Sequence, residues 1–402
     1  MKFKTIDQIN FSEKKALIRV DYNVPIDSNL EVVDESRISS SLPTINKILK
    51  DGGSCILMSH MGRPNGINTP KLSLKNIISS LEKLLNKSVL FCEDCISENT
   101  VEKCKKLKNG EIILLENLRF YKEEELGNTE FAKKLSTLGD VYVNDAFGTS
   151  HRIHSSNAII SNFFKQKCIG YLIENEIKNI NNILHKKSKP FTAILGGSKV
   201  SDKILLIQKL MSYVDNIIIG GAMSNTFIKA INGKIGKSIY ESNKIELVKK
   251  LLDKSVKMNV KIHLPIDFLV SKSIKNNSQT KIFNSGKIRK EWINVDIGPK
   301  SIKKFDEIII QSKKILWNGP MGIYEIDQYS VGTNNIANSI SNSTKNGSIS
   351  LIGGGDSVAV VTKKQLKKNI SFISSGGGAL LSYLINGKLD SIKNIENLSL
   401  KL

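Results

Sequence analysis

The chain has 402 residues, of which 40% are hydrophobic, so it is long enough for two or three globular domains that each bury a substantial core. No run reaches the roughly 18 apolar residues of a membrane helix, and residues 1–5 lack the apolar core of a secretion signal, so we expect a cytoplasmic protein with no membrane partner. The formal net charge of +21 is scattered, mostly as Lys, without interleaved aromatic residues, so we expect no specific nucleic-acid partner; a basic nucleic-acid-binding protein is the alternative.

Short apolar runs alternate with longer segments of helical period along the whole chain. The first half has predicted strands at 16–20, 54–58, 112–115 and 141–143, and predicted helices at 36–50 and 74–85. An amphipathic helix is predicted at 172–184, just after a predicted domain boundary near residue 170. The second half has predicted strands at 191–195, 217–219, 314–317, 349–352 and 371–373, and predicted helices at 202–211, 244–258 and 332–341. This order predicts an α/β protein of two doubly wound, Rossmann-like parallel-sheet domains joined by a helix.

The five cysteines are an odd number in a long chain, which argues against a disulfide framework. Cys92 and Cys95 have the C-x-x-C spacing of zinc and redox sites. No second such pair and no pair of histidines stands at a suitable distance, so we interpret all five as reduced thiols.

The strand ends indicate what each half binds, because ligands of open α/β sheets lie beyond the carboxyl ends of the strands. Arg and His side chains follow the strands of the first half, which predicts a site for a small anion. Glycine turns follow five strands of the second half, at 196–197, 220–221, 319, 353–355 and 376–378. Backbone without Cβ atoms can approach a ligand closely, and a helix that begins after such a turn points its N–H groups at an anion.

The glycine turns fit neither standard nucleotide fingerprint. Residues 196–201 place a lysine after two glycines but do not satisfy G-x-x-x-x-G-K-[ST], and no G-x-G-x-x-G opens a strand-to-helix turn. A Walker-type NTPase and a nicotinamide dehydrogenase are both disfavoured.

Nine motifs, taken together, identify a family. They are VDYNVP at 20–25, SRI at 36–38, SHMGRP at 59–64, ENLRF at 116–120, DAFGTSHR at 145–152, GGSKV at 196–200, WNGP at 317–320, GGGD at 353–356 and GGGA at 376–379. In sequence and in order they resemble the phosphoglycerate kinase family over almost the full length.

The resemblance implies a monomeric glycolytic kinase that transfers a phosphoryl group between 1,3-bisphosphoglycerate and ADP, giving 3-phosphoglycerate and ATP with Mg²⁺. It implies a triose-phosphate-binding domain at 1–170, a nucleotide-binding domain at 171–386 and a hinge cleft between them, with the tail 387–402 packed back on the first domain. The implied triose-site residues are Asp21, Asn23, Arg37, His60, Arg63, Arg119, His151 and Arg152.

The nucleotide site is implied in the same way. Lys199 and Lys203 would contact the phosphates, Glu325 the ribose, and Asp356 the Mg²⁺ ion. The remaining implied nucleotide-binding residues are Gly220, Gly221, Gly319, Pro320, Gly353, Gly354, Gly355 and Ser357. The implied catalytic residues are Arg37, Lys199, Gly354 and Gly377.

Phosphoryl transfer needs in-line positioning and donors aimed at the equatorial oxygens. The attacking and leaving groups are both already anions, so no general base is required. We therefore expect His60 and His151 to hydrogen-bond the triose and not to transfer protons.

Overall fold

The structure, a computed structural model, describes residues 3–395. The chain divides into two compact units: the first runs to Lys178 and also takes in the segment from Asn386, and the second is Asn179–Ile385. In the first unit, the N–H of Lys4 donates to the carbonyl of Ile395 at 3.1 Å, and the N–H of Ser391 donates to the carbonyl of Ser150 at 3.2 Å. Residues 396–402 of the tail predicted at 387–402 lie outside the described residues.

The first unit is built on a six-stranded, wholly parallel sheet with the strand order β3-β4-β2-β1-β5-β6. Its strands are β1 (Lys15–Arg19), β2 (Ser54–Met58), β3 (Leu90–Cys92), β4 (Ile112–Leu115), β5 (Val141–Asn144) and β6 (Gln166–Ile169). Its helices are α1 (Ser36–Lys50), α2 (Ile78–Leu85), α3 (Glu98–Lys106), α4 (Lys122–Leu126) and α5 (Thr129–Ser136). Helix α6 (Tyr171–His185) begins in this unit and ends in the second.

The second unit also contains a six-stranded parallel sheet, with the order β10-β8-β7-β15-β16-β17. These strands are β7 (Phe191–Leu195), β8 (Asn216–Ile219), β10 (Lys261–His263), β15 (Lys314–Asn318), β16 (Ile349–Gly353) and β17 (Phe372–Ile373). The helices are α7 (Ile204–Leu210), α8 (Met223–Ala230), α9 (Ile245–Lys257), α10 (Pro299–Gln311), α11 (Val331–Lys345), α12 (Gly355–Lys363) and α13 (Gly377–Asn386).

Two small sheets complete the second unit. Antiparallel strands β11 (Asp267–Ser271), β12 (Thr280–Asn284) and β14 (Ile293–Ile297) form one, with β11 in the centre. The short strands β9 (Lys234–Ile235) and β13 (Lys287–Ile288) pair in parallel as the other.

The sheets are buried on both faces, which explains the continuous apolar runs of their strands. All four residues of β4 and all five of β7 are buried. Helices cover the sheets through one apolar stripe: α1 buries Ile38, Ile45 and Ile48, spaced at helical period, against the first sheet. Burial of each such side chain contributes about 1.5–3 kcal/mol relative to exposure.

The predicted pair of parallel α/β sheets with flanking helices is confirmed. Strands β3, β6 and β10 and both small sheets were not predicted, because these strands are short or only partly buried and lack a continuous apolar run. All five cysteines lie in the described part of the chain, and all are buried free thiols. Between residues 3 and 395, no helix combines the length and apolar character needed to cross a membrane.

Candidate active site

Basic side chains gather beyond the carboxyl ends of β1, β2, β4 and β5 in the first unit. Arg37 lies in the first turn of α1, and its guanidinium forms an ion pair with Asp21, which follows β1. The Asp21 side chain is 9% exposed and that of Arg37 is 37% exposed. The pair therefore holds Arg37 at the surface of the unit, where it can exchange Asp21 for an anionic ligand.

The turn after β2 carries Arg63 and is fixed from both sides. The N–H of Gly62 donates to Oδ1 of Asn23 at 2.9 Å, and the carbonyl of Gly62 accepts from Nη1 of Arg119 at 2.7 Å. Arg119 is buried and also pairs with Glu125, with Nη2 at 3.1 Å from Oε1. Arg63 itself is exposed and has no hydrogen-bond partner among residues 3–395, so its guanidinium is available to a ligand.

The histidines of this cluster are electrically neutral at pH 7. Burial, and then the charges of Arg19 and Arg119, hold the pKa of His60 well below its usual range. Burial and the neighbouring Arg152 also lower the pKa of His151, whose Nε2 accepts a hydrogen bond from Nε of Arg152 at 3.4 Å. Neutral imidazoles can offer hydrogen bonds without adding charge, and the expected role of both histidines stays a prediction.

Three further residues join the cluster without having been predicted: Arg19, Glu124 and His154. Arg19 and Glu124 are buried, and both connect to Ser156: Nε of Arg19 donates to its Oγ at 2.9 Å, and this Oγ donates to Oε1 of Glu124 at 2.6 Å. Burial lowers the pKa of His154 to about 4, with Arg19 as the next cause. An arginine inside the apolar run at 16–20 was the one available signal, and nothing in the sequence marks Glu124.

Some glycines of the second unit serve packing between turns. A Cβ on Gly196 would lie 2.0 Å from the carbonyl oxygen of Pro320, and a Cβ on Gly221 would lie 2.5 Å from that of Gly197. Backbone hydrogen bonds join the same turns, from the N–H of Gly197 to the carbonyl of Pro320 at 3.1 Å and from Gly221 to Met321 at 3.0 Å. The first three glycine turns thus form one close-packed platform. At these positions the contact between turns requires glycine, which is a different reason from the approach of a ligand.

Other glycines face open space at two helix N-termini. A Cβ on Gly355, the first residue of α12, would meet no atom within 4 Å. A Cβ on Gly377, the first residue of α13, would meet only the Cα of Gly354, at 3.6 Å. The two N-termini are therefore neighbours, and their unpaired first-turn N–H groups form a site suited to phosphate oxygens.

Lys203 and Asn318 lie beside this site. The Lys203 ammonium donates to Oδ1 of Asn318, whose Nδ2 donates to the carbonyl of Gly353 at 2.8 Å. Burial lowers the pKa of Lys203, and the carboxylates of Asp202 and Asp356 oppose that shift. The N–H of Gly319 donates to Oγ of Ser357 at 2.8 Å, which ties the platform to α12.

A cavity of about 300 Å³ opens next to the platform. Predicted residues Gly221, Pro320, Glu325 and Asp356 line it. It is also lined by Gly197, from the predicted glycine turn at 196–197. Its other lining residues, which were not predicted, are mainly apolar: Ser198, Ala222, Ile239, Ile274, Ile293, Asn294, Val295, Met321, Gly322 and Ile323. Those from β14 were missed because the small antiparallel sheet was missed. An apolar slot with the exposed carboxylates of Glu325 and Asp356 in its lining suits a planar base and a ribose.

The remaining predicted nucleotide residues lie outside the cavity lining: Lys199, Lys203, Gly220, Gly319, Gly353, Gly354, Gly355 and Ser357. Lys199 is exposed and, in the part of the chain that the structure describes, has no hydrogen-bond partner. Asp356 is exposed in the first turn of α12, and its Oδ1 accepts from the Tyr324 hydroxyl at 3.2 Å. Across residues 3–395 no three His, Cys, Asp or Glu side chains cluster as a metal site.

Comparisons with known proteins bear on the family and the fold of the chain. The family model for phosphoglycerate kinase matches residues 6–388. A phosphoglycerate kinase of Porphyromonas gingivalis is 44% identical over 417 residues, covering 98% of this chain and all of the relative, and one of Finegoldia magna is 44% identical over 398 residues with the same coverage. The solved structure of phosphoglycerate kinase from Coxiella burnetii superimposes with a TM-score of 0.87 at 34% identity, covering 98% of each chain. That from Pyrococcus horikoshii gives 0.81 at 28% identity, also covering 98% of each.

Proposed function

The chain belongs to the phosphoglycerate kinase family, and from this premise we propose that it transfers a phosphoryl group between 1,3-bisphosphoglycerate and ADP, giving 3-phosphoglycerate and ATP. The observation that carries the proposal is that the two units have sites of complementary chemistry. The first has a cluster of arginines and neutral histidines at its strand ends, and the second has two adjacent helix N-termini beside an apolar cavity.

The first unit binds the triose. Arg63, Arg119 and Arg152 supply charge for the carboxylate and the stationary phosphate, and Asn23 and His60 supply neutral hydrogen bonds. His151 joins them at the edge of the site. The exposure of Arg63 and the rigid turn that carries it support this assignment. Arg37, released from Asp21, contacts the phosphoryl group in transfer.

The second unit binds the nucleotide. The cavity takes the base, Glu325 takes the ribose, and the N-termini of α12 and α13 take the phosphates together with Lys199 and Lys203. The open space at Gly355 and Gly377 supports this assignment, since no protein atom explains the lack of a side chain there. Gly354 and Gly377 then present backbone N–H groups to the transferring oxygens.

The residues beside the phosphate site fit Mg²⁺ carried in with the nucleotide. Mg²⁺ in such sites uses one or two carboxylates and the phosphates of the substrate. Asp356 supplies one exposed carboxylate beside that site, in the first turn of α12, which fits this pattern. When bound, the ion would neutralise charge on the phosphate oxygens.

Catalysis by this chain consists of positioning and charge stabilisation. Arg37, Lys199 and the N–H groups of Gly354 and Gly377 surround the three equatorial oxygens as negative charge spreads over them. The acceptor is a carboxylate, so no residue has to remove a proton. The lowered pKa values of His60 and His151 support the absence of a general acid among them.

The wider properties follow from the same premise. We assign triose binding to residues 1–170 with the tail 387–402, and nucleotide binding to 171–386, with a hinge between the domains. The enzyme acts as a cytoplasmic monomer on small-molecule substrates, without nucleic acid or membrane partners.

A coupled assay tests the reaction. With 3-phosphoglycerate and MgATP we expect turnover that stops when either substrate or Mg²⁺ is omitted. Glycerate, which lacks the stationary phosphate, should be a poor acceptor if the arginines act as proposed. Folded protein without turnover on 3-phosphoglycerate would overturn the proposal.

A further inference from the structure

Arg19 is a buried cation that reaches the active site only through another residue. It ends β1, and 1% of its surface is exposed, so its guanidinium cannot contact a substrate. Nε donates to Oγ of Ser156 at 2.9 Å, Nη1 donates to the carbonyl of Val20, and Nη2 lies 3.2 Å from Nδ1 of His60.

The chemistry of that last contact fixes the proton on His60. A guanidinium has five N–H donors and no acceptor, so Nδ1 of His60 must be the acceptor and carry no proton. Burial and the charge of Arg19 keep the ring neutral, because both lower its pKa. A neutral imidazole with a bare Nδ1 carries its proton on Nε2. Within residues 3–395 no group hydrogen-bonds Nε2, so that N–H remains for a ligand.

A buried counter-charge keeps Arg19 in place. The Ser156 hydroxyl accepts from Nε of Arg19 and donates to Oε1 of Glu124 at 2.6 Å, and the N–H of Ser156 donates to Oε2 at 2.9 Å. Burial raises the pKa of Glu124, and the charge of Arg19 lowers it. A buried cation without such a partner would be strongly destabilising.

We propose that Arg19, held by Ser156 and Glu124, is a positioning residue that fixes His60 as the Nε2–H tautomer, so that His60 always presents a donor to the anionic triose. This deepens the proposed function and rests on it for the identity of the ligand. In the other tautomer, Nε2 would present a lone pair to an anion and repel it.

Nitrogen-15 NMR of ring-labelled histidine tests the tautomer directly at pH 8. The chain has five histidines, so His60→Gln identifies the His60 signals. We expect the wild type to show one tautomer with the proton on Nε2, and Arg19→Met to show both tautomers. A wild-type ring with its proton on Nδ1, or an unchanged tautomer in the variant, would overturn the inference.

Loss of Arg19 removes a positive charge that stabilises the buried Glu124 carboxylate, so a second variant controls for misfolding. Arg19→Met combined with Glu124→Gln removes both buried charges and should show the same mixture of tautomers. Tyr142→Phe is the matched control. It deletes a buried hydroxyl that donates to the carbonyls of Ser156 and Asn157, at 3.0 and 3.1 Å, without touching His60. The control should keep the Nε2–H tautomer even if it is less stable.

Kinetics provide a second readout. If only 10–50% of the rings carry the competent tautomer, the KM for 3-phosphoglycerate rises about two- to tenfold, while kcat changes by less than about twofold. Arg19→Lys, which retains a cationic donor, should recover part of this loss. His60→Gln, whose amide can place an N–H near the position of Nε2, should bind the triose better than His60→Asn, which reaches only the position of Nδ1.

The two proposals fail separately. The tautomer is read without any substrate, whereas the function is read by turnover of the wild type. Turnover by a wild type whose His60 ring is not held as the Nε2–H tautomer would reject only the role of Arg19. A His60 ring held as the Nε2–H tautomer, in a wild type without turnover, would reject only the reaction.

Discussion

At the scale of single residues, the two triose-site arginines Arg37 and Arg63 should behave differently. Arg37 is paired with Asp21, so in the proposed mechanism a phosphoryl group must compete for it, whereas Arg63 is exposed beforehand. An interaction made only in the transition state supports kcat, and one shared with the ground state supports substrate affinity.

Arg37→Ala should therefore lower kcat by roughly 10²-fold or more, the scale of losing one charge-stabilising donor. Arg63→Ala should mainly weaken 3-phosphoglycerate binding, by about 1.5–3 kcal/mol for a hydrogen bond to a charged group. Steady-state kinetics measure both, after circular dichroism confirms that each variant is folded. Near-normal kcat with a raised KM in Arg37→Ala would reject its contact with the transferring group.

At the scale of elements, substitutions at the two kinds of glycine should change different properties. A glycine that faces open space should matter for nucleotide binding, and a glycine packed between turns should matter for stability. Gly355→Ala adds a methyl group where no protein atom lies within 4 Å, so the melting temperature should hardly change. The same methyl group enters the phosphate site, and we expect the KM for ATP to rise roughly 10- to 100-fold through misplaced phosphates.

Gly196→Ala is the matched comparison. Its Cβ would lie 2.0 Å from the Pro320 carbonyl oxygen, so the backbone must shift. We expect a lower melting temperature as the primary effect of this substitution, and any change in nucleotide binding only as a secondary one. Thermal unfolding and nucleotide titration distinguish the two. If Gly355→Ala bound ATP normally, the assignment of the α12 N-terminus to the phosphates would be wrong.

Helix α6 offers a pH test. The buried Asp145 carboxylate accepts from the N–H groups of Leu172 and Ile173, at 2.9 and 3.4 Å, and its Oδ2 has no hydrogen-bond partner. Burial raises the pKa of Asp145 from 3.8 to about 7. A raised folded-state pKa means that the folded protein binds the proton more tightly than the unfolded chain does. Its stabilising effect is complete below pH 3.8 and is lost as the pH rises towards 7.

We therefore expect the free energy of unfolding of the wild type, relative to Asp145→Asn, to fall between pH 4 and 7 by at most about 4 kcal/mol. Urea unfolding at a series of pH values measures this difference. Asp327→Asn, at a side chain that is 88% exposed, is the control and should show no such trend. A difference that does not vary with pH would contradict the burial argument.

The sequence predicted the elements that rely on continuous apolar runs, such as β2, β4 and β7, each at its observed bounds. It could not predict β14, whose first two residues are half-buried, and so it missed the apolar wall of the cavity. At the site, exposed motif residues such as Arg63 were proposed from the sequence, and their roles stay predictions. The buried Arg19 and Glu124 were not, because their importance lies in contacts between distant segments.

At the scale of the whole molecule, the proposed chemistry requires motion. Arg37 and Lys199 lie on different units, yet both must contact one phosphoryl group, and substrates must still enter. We expect small-angle scattering to give a smaller radius of gyration with 3-phosphoglycerate and a non-hydrolysable MgATP analogue together than with neither. Each ligand alone is the control, and an unchanged radius with both would contradict hinge closure.

The central claim is direct transfer between two anions without a general base. Transfer of label from γ-³²P-ATP tests it most directly, with and without 3-phosphoglycerate in the presence of Mg²⁺. The account predicts labelled acyl phosphate when the acceptor is present, and negligible release of labelled inorganic phosphate when it is absent, because no residue activates water. Rapid phosphate release without acceptor, or no labelled acyl phosphate with it, would contradict the account.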